Sequence, residues 1–265
     1  MLTFVGLGLY DERSVTVAGR DALRAADRVF AETYTSRLVG ADLSDVADAL
    51  GIEIERRSRA GVERDPEPIL DAAAESDVVF CTPGDPLIAT THTDLRLRAA
   101  DRGIDTRVVH GVTAESAVAS ATGLQNYRFG RAVTLPFPYA HGGDGVPDSV
   151  PGRIVANRER GLHTLVFLDI KAAGASPVGP DDDQFMTADR AADLLATHWD
   201  PDALGVAVAR VGGPQPTLAA DRLATLADGA FGPPLHALVV PGELHAVERD
   251  ALAAFADAPD SVLGD

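Results

Sequence analysis

The chain has 265 residues, 46% hydrophobic and 24% charged, with a formal net charge of −17, which describes a globular protein long enough for two modest α/β lobes. Basic side chains number 13 against 20 acidic through Val112 and 10 against 20 beyond it, so neither half is the basic platform that nucleic-acid binding draws on. No run approaches the roughly 20 apolar residues of a membrane span, and the sole cysteine, Cys81, leaves no internal disulfide to form.

Met1-Leu2-Thr3 leads into the first predicted strand, residues 2–7, with no basic leader, and a cytoplasmic protein is expected. That strand breaks at Gly6 and Gly8, where backbone can approach a ligand closely, before a helical stretch over 14–26. The turn is similar to a dinucleotide fingerprint, but Asp11 stands where the third glycine would be. No G-x-x-x-x-G-K-[ST] run exists and the only lysine is Lys171, which removes a phosphate loop of that type. Strands are predicted at 28–31, 53–57, 78–81 and 106–110, with helices at 43–50, 69–75 and 93–101. This alternation predicts a mostly parallel sheet covered on both faces.

Thr82-Pro83-Gly84-Asp85-Pro86 follows the apolar run 77–81. Two prolines and a glycine at a strand's carboxyl end read as a ligand loop, with a plain strand-to-helix turn as the bland alternative. Asp85 reads as a ligand contact or a turn-capping acid, and Cys81 reads as a small core residue. Gly111 opens a new segment, in which Thr113 heads an Ala/Ser-rich helix ending at Gly123, packed on the sheet or against a ligand. The expected division is 1–111 and 112–265.

The second half carries predicted strands at 132–135, 164–169, 204–210, 216–219 and 236–240, and helices at 153–160, 187–198 and 244–256. Ala191, Ala192, Leu194, Leu195 and Trp199 form an apolar stripe at helical spacing. Stretches 138–151 and 174–183 read as surface loops, with Asp181-Asp182-Asp183 solvated rather than holding a metal. Leu168 and Val211 read as core by residue type, while His236 reads equally as a strand histidine or a pocket residue. The seven histidines show no H-x-x-x-H or H-E-x-x-H spacing and no G-x-S-x-G occurs, so neither a metallohydrolase nor a serine hydrolase finds support. Twenty-two arginines against one lysine, with acids along every helix, resemble the usage of proteins that stay soluble in concentrated salt.

Several stretches together resemble one family: GLGLYDE at 6–12, AETYTS at 31–36, TPGDPLIATTH at 82–92, GLHTL at 161–165, FLDIK at 167–171 and VPGELH at 240–245. They are similar to the diphthine synthase family, a branch of the tetrapyrrole-methylase superfamily, and span nearly the whole chain. The resemblance implies a two-lobed α/β fold with a cofactor cleft between lobes and S-adenosylmethionine as methyl donor, released as S-adenosylhomocysteine. It implies cofactor contacts at Leu9, Asp85, Ile88, Thr113, Ala114, Leu168, Val211 and His236, mostly through backbone. His110-Gly111-Val112-Thr113-Ala114-Glu115 departs from the Ala-Pro-Ser or Pro-Gly type of turn in relatives.

The implied reaction is N-methylation of the modified histidine of translation elongation factor 2, giving diphthine, by a homodimer. A sulfonium methyl is already activated, so the protein has to align the amine with the carbon–sulfur bond, exclude water and keep the amine unprotonated. Tyr34, Glu32, His92, Asp169 and Lys171 stand in the family-specific motifs, and Asp169 and Tyr34 rank first as orienting groups because they lie beside strand ends. The alternatives are a tetrapyrrole C-methyltransferase and a non-catalytic nucleotide-binding module.

Overall fold

The computed structural model describes residues 1–143, 145–171 and 183–264. They form two compact units: Met1–Thr113 joined by Lys171 and Asp183, and Ala114–Ile170 joined by the chain from Gln184 onward. The first unit thus closes at Thr113 rather than at 111.

In the first unit the chain forms β1 (Leu2–Gly6), α1 (Val17–Ala25), β2 (Arg28–Ala31), α2 (Leu43–Leu50), β3 (Glu55–Arg56), α3 (Arg59–Glu63), α4 (Glu67–Glu75), β4 (Val78–Thr82), α5 (Thr93–Asp101) and β5 (Thr106–Val109). The strands pair in the order β3-β2-β4-β1-β5, all parallel. The expected sheet is therefore present, and its central strands β1 and β4 are buried at every position, as unbroken apolar runs covered on both faces must be. Alternate side chains divide between two cores. Phe4, Phe30 and Phe80 pack with Ile69 and Leu70 of α4 and Leu95 of α5, while Val5, Val29, Val79 and Cys81 pack with Leu23 of α1 and Val46 of α2.

Local signals set the helix ends. Thr16 Oγ1 accepts from the N–H of Gly19 at 3.0 Å, and Gly51, at φ 67, closes α2 in the left-handed region. β3 is shorter than its predicted span because it is an exposed edge whose residues meet only Phe30 and Ala31 of β2. The single turn of α3, too short for a periodic signal, begins where Ser58 Oγ accepts from the N–H of Gly61 at 3.2 Å.

The second unit begins with α6 (Ala114–Thr122), followed by β6 (Val133–Leu135), α7 (Ser149–Arg158) and β7 (Thr164–Leu168). A short ribbon pairs β8 (Ile170–Lys171) with β9 (Gln184–Phe185). Then come α8 (Ala188–His198), β10 (Leu204–Ala209), β11 (Thr217–Arg222), α9 (Leu223–Ala227), β12 (His236–Val240), α10 (Ala246–Phe255) and α11 (Asp260–Leu263). The sheet order is β11-β10-β12-β7-β6, antiparallel except between β6 and β7.

The stripe on α8 is buried as expected, with Ala191, Leu194 and Leu195 in one core and Trp199 packed against it. On the sheet's other side Val118, Val206, Val208, Val239 and Leu252 form a second core. There Gly123 lies so close to α10 that a Cβ on it would meet Ala251 Cβ at 2.5 Å. α7 starts at Ser149, before its predicted start at 153, because Pro151 falls in the first turn, where its missing N–H has no intrahelical acceptor anyway. Of the loop expected at 174–183, residues up to Asp182 lie outside the described residues; Asp183 is ion-paired with Arg37 rather than solvated alone. Among the described residues no helix is long and apolar enough to cross a membrane.

Candidate cofactor and substrate site

The first unit gathers three glycines at the carboxyl ends of its strands. A Cβ on Gly6 would lie 2.5 Å from the Gly84 carbonyl oxygen and 2.6 Å from Gly111 N, and one on Gly111 would lie 2.3 Å from the same oxygen. Backbone therefore packs on backbone here, and no side chain fits at Gly6 or Gly111. The loops after β1 and β4 are stitched together by Gly8 N–H to Gly84 O at 3.3 Å and Gly84 N–H to Gly8 O at 2.7 Å. Gly84 adopts φ +75, and a Cβ there would meet no atom within 4 Å. Open space over a left-handed glycine at a strand's carboxyl end is what a ligand read through backbone needs.

Asp85 is buried, and its side chain makes the turn-capping contacts. Oδ1 accepts from Leu87 N–H at 2.9 Å, while Oδ2 accepts from Gly111 N–H at 3.3 Å and from His110 Nδ1 at 2.7 Å. The carboxylate thus ties the Gly-Asp-Pro loop to the turn after β5. The His110 contact was not foreseen; an acid after Gly84 and a histidine beside Gly111 are its only sequence signal. Leu9 is half-buried, with its carbonyl accepting from Val39 N–H at 3.1 Å. Ile88 is exposed, and Thr113 ends the unit. Asp11, where a fingerprint glycine would stand, accepts from Arg13 N–H at 3.0 Å, and Ser14 Oγ accepts from Asp11 N–H at 3.2 Å. This turn is closed by its own capping groups.

Behind the glycines lies a buried polar cluster that joins AETYTS to TPGDPLIATTH. Glu32 is wholly buried; its Oε1 accepts from the Thr82 hydroxyl and its Oε2 from Thr35 N–H at 2.9 Å. His92 donates from Nδ1 to the Pro86 carbonyl at 2.9 Å, which leaves Nε2 to accept from the Tyr34 hydroxyl at 3.4 Å, with Glu32 Oε1 3.6 Å away. Burial holds the His92 imidazole below its ordinary pKa, outweighing the Glu32 charge that pulls the other way. Burial first and Glu32 second raise the Tyr34 phenol, and the same two causes push the Cys81 thiol up to about 12. Cys81 is an inert core residue, as its place in the strand implies. Tyr34 is buried, its hydroxyl committed to His92, so it supports the loop from behind.

In the second unit Leu168 is buried at the end of β7, and Ala114 begins α6. Asp169 accepts from Phe137 N–H at 3.0 Å and its own N–H donates to Leu135 O at 3.2 Å. Val211 is half-buried after Arg210, a residue at φ 54 whose guanidinium bonds the Phe231 and Pro233 carbonyls at 2.6 and 3.0 Å. His236 donates from Nε2 to Pro233 O at 3.0 Å and accepts at Nδ1 from Ala188 N–H at 3.0 Å. Burial lowers its pKa, and the neutral ring seals the start of α8.

A further buried hub unites GLHTL with VPGELH. Glu248 accepts from Gln125 N–H at 2.8 Å, His163 Nε2 at 2.9 Å, Arg128 Nη1 at 3.1 Å and His245 N–H at 2.9 Å. Burial opposes its charge, yet these donors hold the carboxyl below its ordinary pKa. Burial also lowers His163, against the pull of Glu248. Apart from the local cap to His245, the partners of Glu248 lie far away in the chain, so its role as a hub carries no sequence signal.

Among the described residues no three His, Cys, Asp or Glu side chains cluster as metal ligands. What the first unit offers is a tight backbone platform with polar groups fixed beneath it.

Residues 1–227 match the family model described as tetrapyrrole (corrin/porphyrin) methylases. The chain is 67% identical to a diphthine synthase of Halobacterium salinarum, covering 99% of this chain and all of that one. It is 67% identical to a diphthine synthase of Halorubrum lacusprofundi over 98% of both chains. A solved structure, "Crystal structure of diphthine synthase", superposes with a TM-score of 0.87 at 35% identity, covering 99% of this chain and 98% of that one.

Proposed function

From the premise that the chain belongs to the tetrapyrrole methylase family and, within it, to the diphthine synthases, we propose that it transfers methyl groups from S-adenosylmethionine to the amine of the aminocarboxypropyl tail on the modified histidine of translation elongation factor 2, producing diphthine. The observation that carries this reading is likeness over the full chain to proteins of that one activity. The motifs of that branch, AETYTS and TPGDPLIATTH, meet here in one buried cluster beneath Gly84.

S-adenosylmethionine supplies a methyl already activated by its sulfonium, and no covalent enzyme intermediate is required. This chain's residues then have to bind, orient and exclude water. In our reading Leu9, Asp85, Ile88 and Thr113 of the first unit hold the cofactor, together with Ala114, Leu168, Val211 and His236 of the second, mainly through backbone atoms. Open space over Gly84 supports a backbone-read ligand. Asp169 orients the amine, and Tyr34 acts as a positioning residue through His92. The working form is a two-fold homodimer in the cytoplasm.

Calorimetry with S-adenosylhomocysteine, NAD and ATP tests the cofactor. Only S-adenosylhomocysteine is expected to bind, because Asp11 and its capping partners fill the place of the third fingerprint glycine. Comparable affinity for NAD would overturn the assignment.

A further inference from the structure

Beside the Thr82–Pro86 loop the first unit holds a cavity of about 200 Å³ whose walls include Thr33, Arg37, Asp42, Arg56 and Pro83. Arg56 ends β3 and Pro83 follows β4, on the ligand side of a parallel sheet, while Thr33, Arg37 and Asp42 come from the connection between β2 and α2. In a chain of net charge −17 this small cavity brings two guanidinium groups, Arg37 and Arg56, together in one wall. Arg56 is exposed and forms no ion pair among the described residues. It also lines a second hollow, of about 450 Å³, with Arg57, whose buried Nε–H makes no hydrogen bond. Arg37 already holds one carboxylate, that of Asp183. Asp42, the acid in the wall, has its carboxylate engaged by Ser44 and by the N–H groups of Ser44 and Asp45; those bonds, the Ser44 hydroxyl foremost, keep its pKa low, with the Arg56 charge adding a smaller pull.

We propose that this cavity is the subsite for the carboxylate of the substrate's aminocarboxypropyl tail, with Arg56 as its principal contact and Arg37 as support. The proposal rests on the methyltransferase reading above. A planar guanidinium pairs with a carboxylate through parallel N–H donors, and the cavity has room for a carboxylate on a short aliphatic stem. Pro83 belongs to both the cavity wall and the loop that carries Gly84, so a carboxylate anchored here leaves the tail's amine near the platform assigned to the cofactor.

The test compares methyl transfer to modified elongation factor carrying the native tail and to the same factor with the tail carboxylate capped as an amide. Wild-type protein and the variants Arg56→Ala and Arg56→Lys are used, with S-adenosylhomocysteine affinity measured alongside. In wild type the amide should raise KM about tenfold, the loss of one charge-assisted contact, with little change in kcat. Arg56→Ala should raise KM for the native tail by a similar factor and no longer distinguish the two substrates, while Arg56→Lys retains part of the discrimination. S-adenosylhomocysteine affinity should stay unchanged in both variants. Undiminished discrimination in Arg56→Ala would overturn the subsite. Absence of any transfer by wild type that binds S-adenosylhomocysteine would instead remove the substrate reading, and the subsite with it.

Discussion

The Thr82 hydroxyl donates to Glu32 Oε1 with both residues wholly buried, so the last residue of β4 and the first residue after β2 share one hydrogen bond beneath the Gly84 loop. Glu32 Oε2 also takes the N–H of Thr35. Glu32→Ala would leave two donors without an acceptor, each loss worth about 1–3 kcal/mol when buried. Denaturant unfolding in molar KCl should show a fall of that order, with a smaller one for Glu32→Gln, which keeps an acceptor. Wild-type stability in the alanine variant would mean that the cluster is dispensable.

Two buried histidines, His92 and His163, and the half-buried His236 fix the sign of the pH dependence. His92, His163 and His236 all have pKa values lowered by burial, so the unfolded chain binds protons that the folded one refuses. For a depressed folded pKa the contribution to stability is complete above the unfolded value near 6.5 and is lost as pH falls through 6.5 toward the folded values. Thermal unfolding at fixed high salt should show Tm level above neutrality and falling as the pH drops below about 6.5. His236 adds a specific cost: protonated Nδ1 can no longer accept from Ala188 N–H. His236→Asn should weaken the slope. A Tm that rises on acidification across this window would contradict neutral histidines.

Gly84 tests the loop by conformation rather than by crowding. Its φ of +75 disfavours any L side chain, whereas an added Cβ would meet nothing within 4 Å. Gly84→Val therefore strains one residue by about 1–2 kcal/mol and places a branched group over the platform. Circular dichroism should report a native fold while S-adenosylhomocysteine affinity drops at least about tenfold. Unchanged affinity would make Thr82–Pro86 a structural turn only.

Much of this was legible in the sequence because the signals are local. Unbroken apolar runs marked β1 and β4, glycines and prolines marked the turns, and the β-then-α alternation marked the parallel sheet. The role of Asp85 was half legible: an acid between Gly84 and Pro86 reads as a cap or a contact, and only the fold shows its carboxylate spanning to His110 and Gly111. The hub on Glu248 was not legible, since Gln125, Arg128 and His163 reach it from other elements. Tyr34 ranked as an orienting group because it follows a strand end, but sequence spacing cannot show that its hydroxyl turns inward to His92.

Salt should act on assembly. A two-fold interface brings like-charged surfaces together, and a chain of net charge −17 needs that repulsion screened. Light scattering across a KCl series should give a dimer mass in molar salt and dissociation or unfolding in dilute buffer. A folded monomer at every ionic strength would refute the dimer, and a dimer indifferent to salt would refute the high-salt adaptation alone.

The most direct test of the proposed activity is mass analysis of the target peptide after purified protein, labelled S-adenosylmethionine and elongation factor 2 bearing the unmethylated tail are incubated together. The expected result is label on the modified histidine alone, with the peptide heavier by whole methyl increments and no label on factor lacking the tail. An unlabelled peptide from protein that binds S-adenosylhomocysteine, or label transferred to a tetrapyrrole instead, would contradict it.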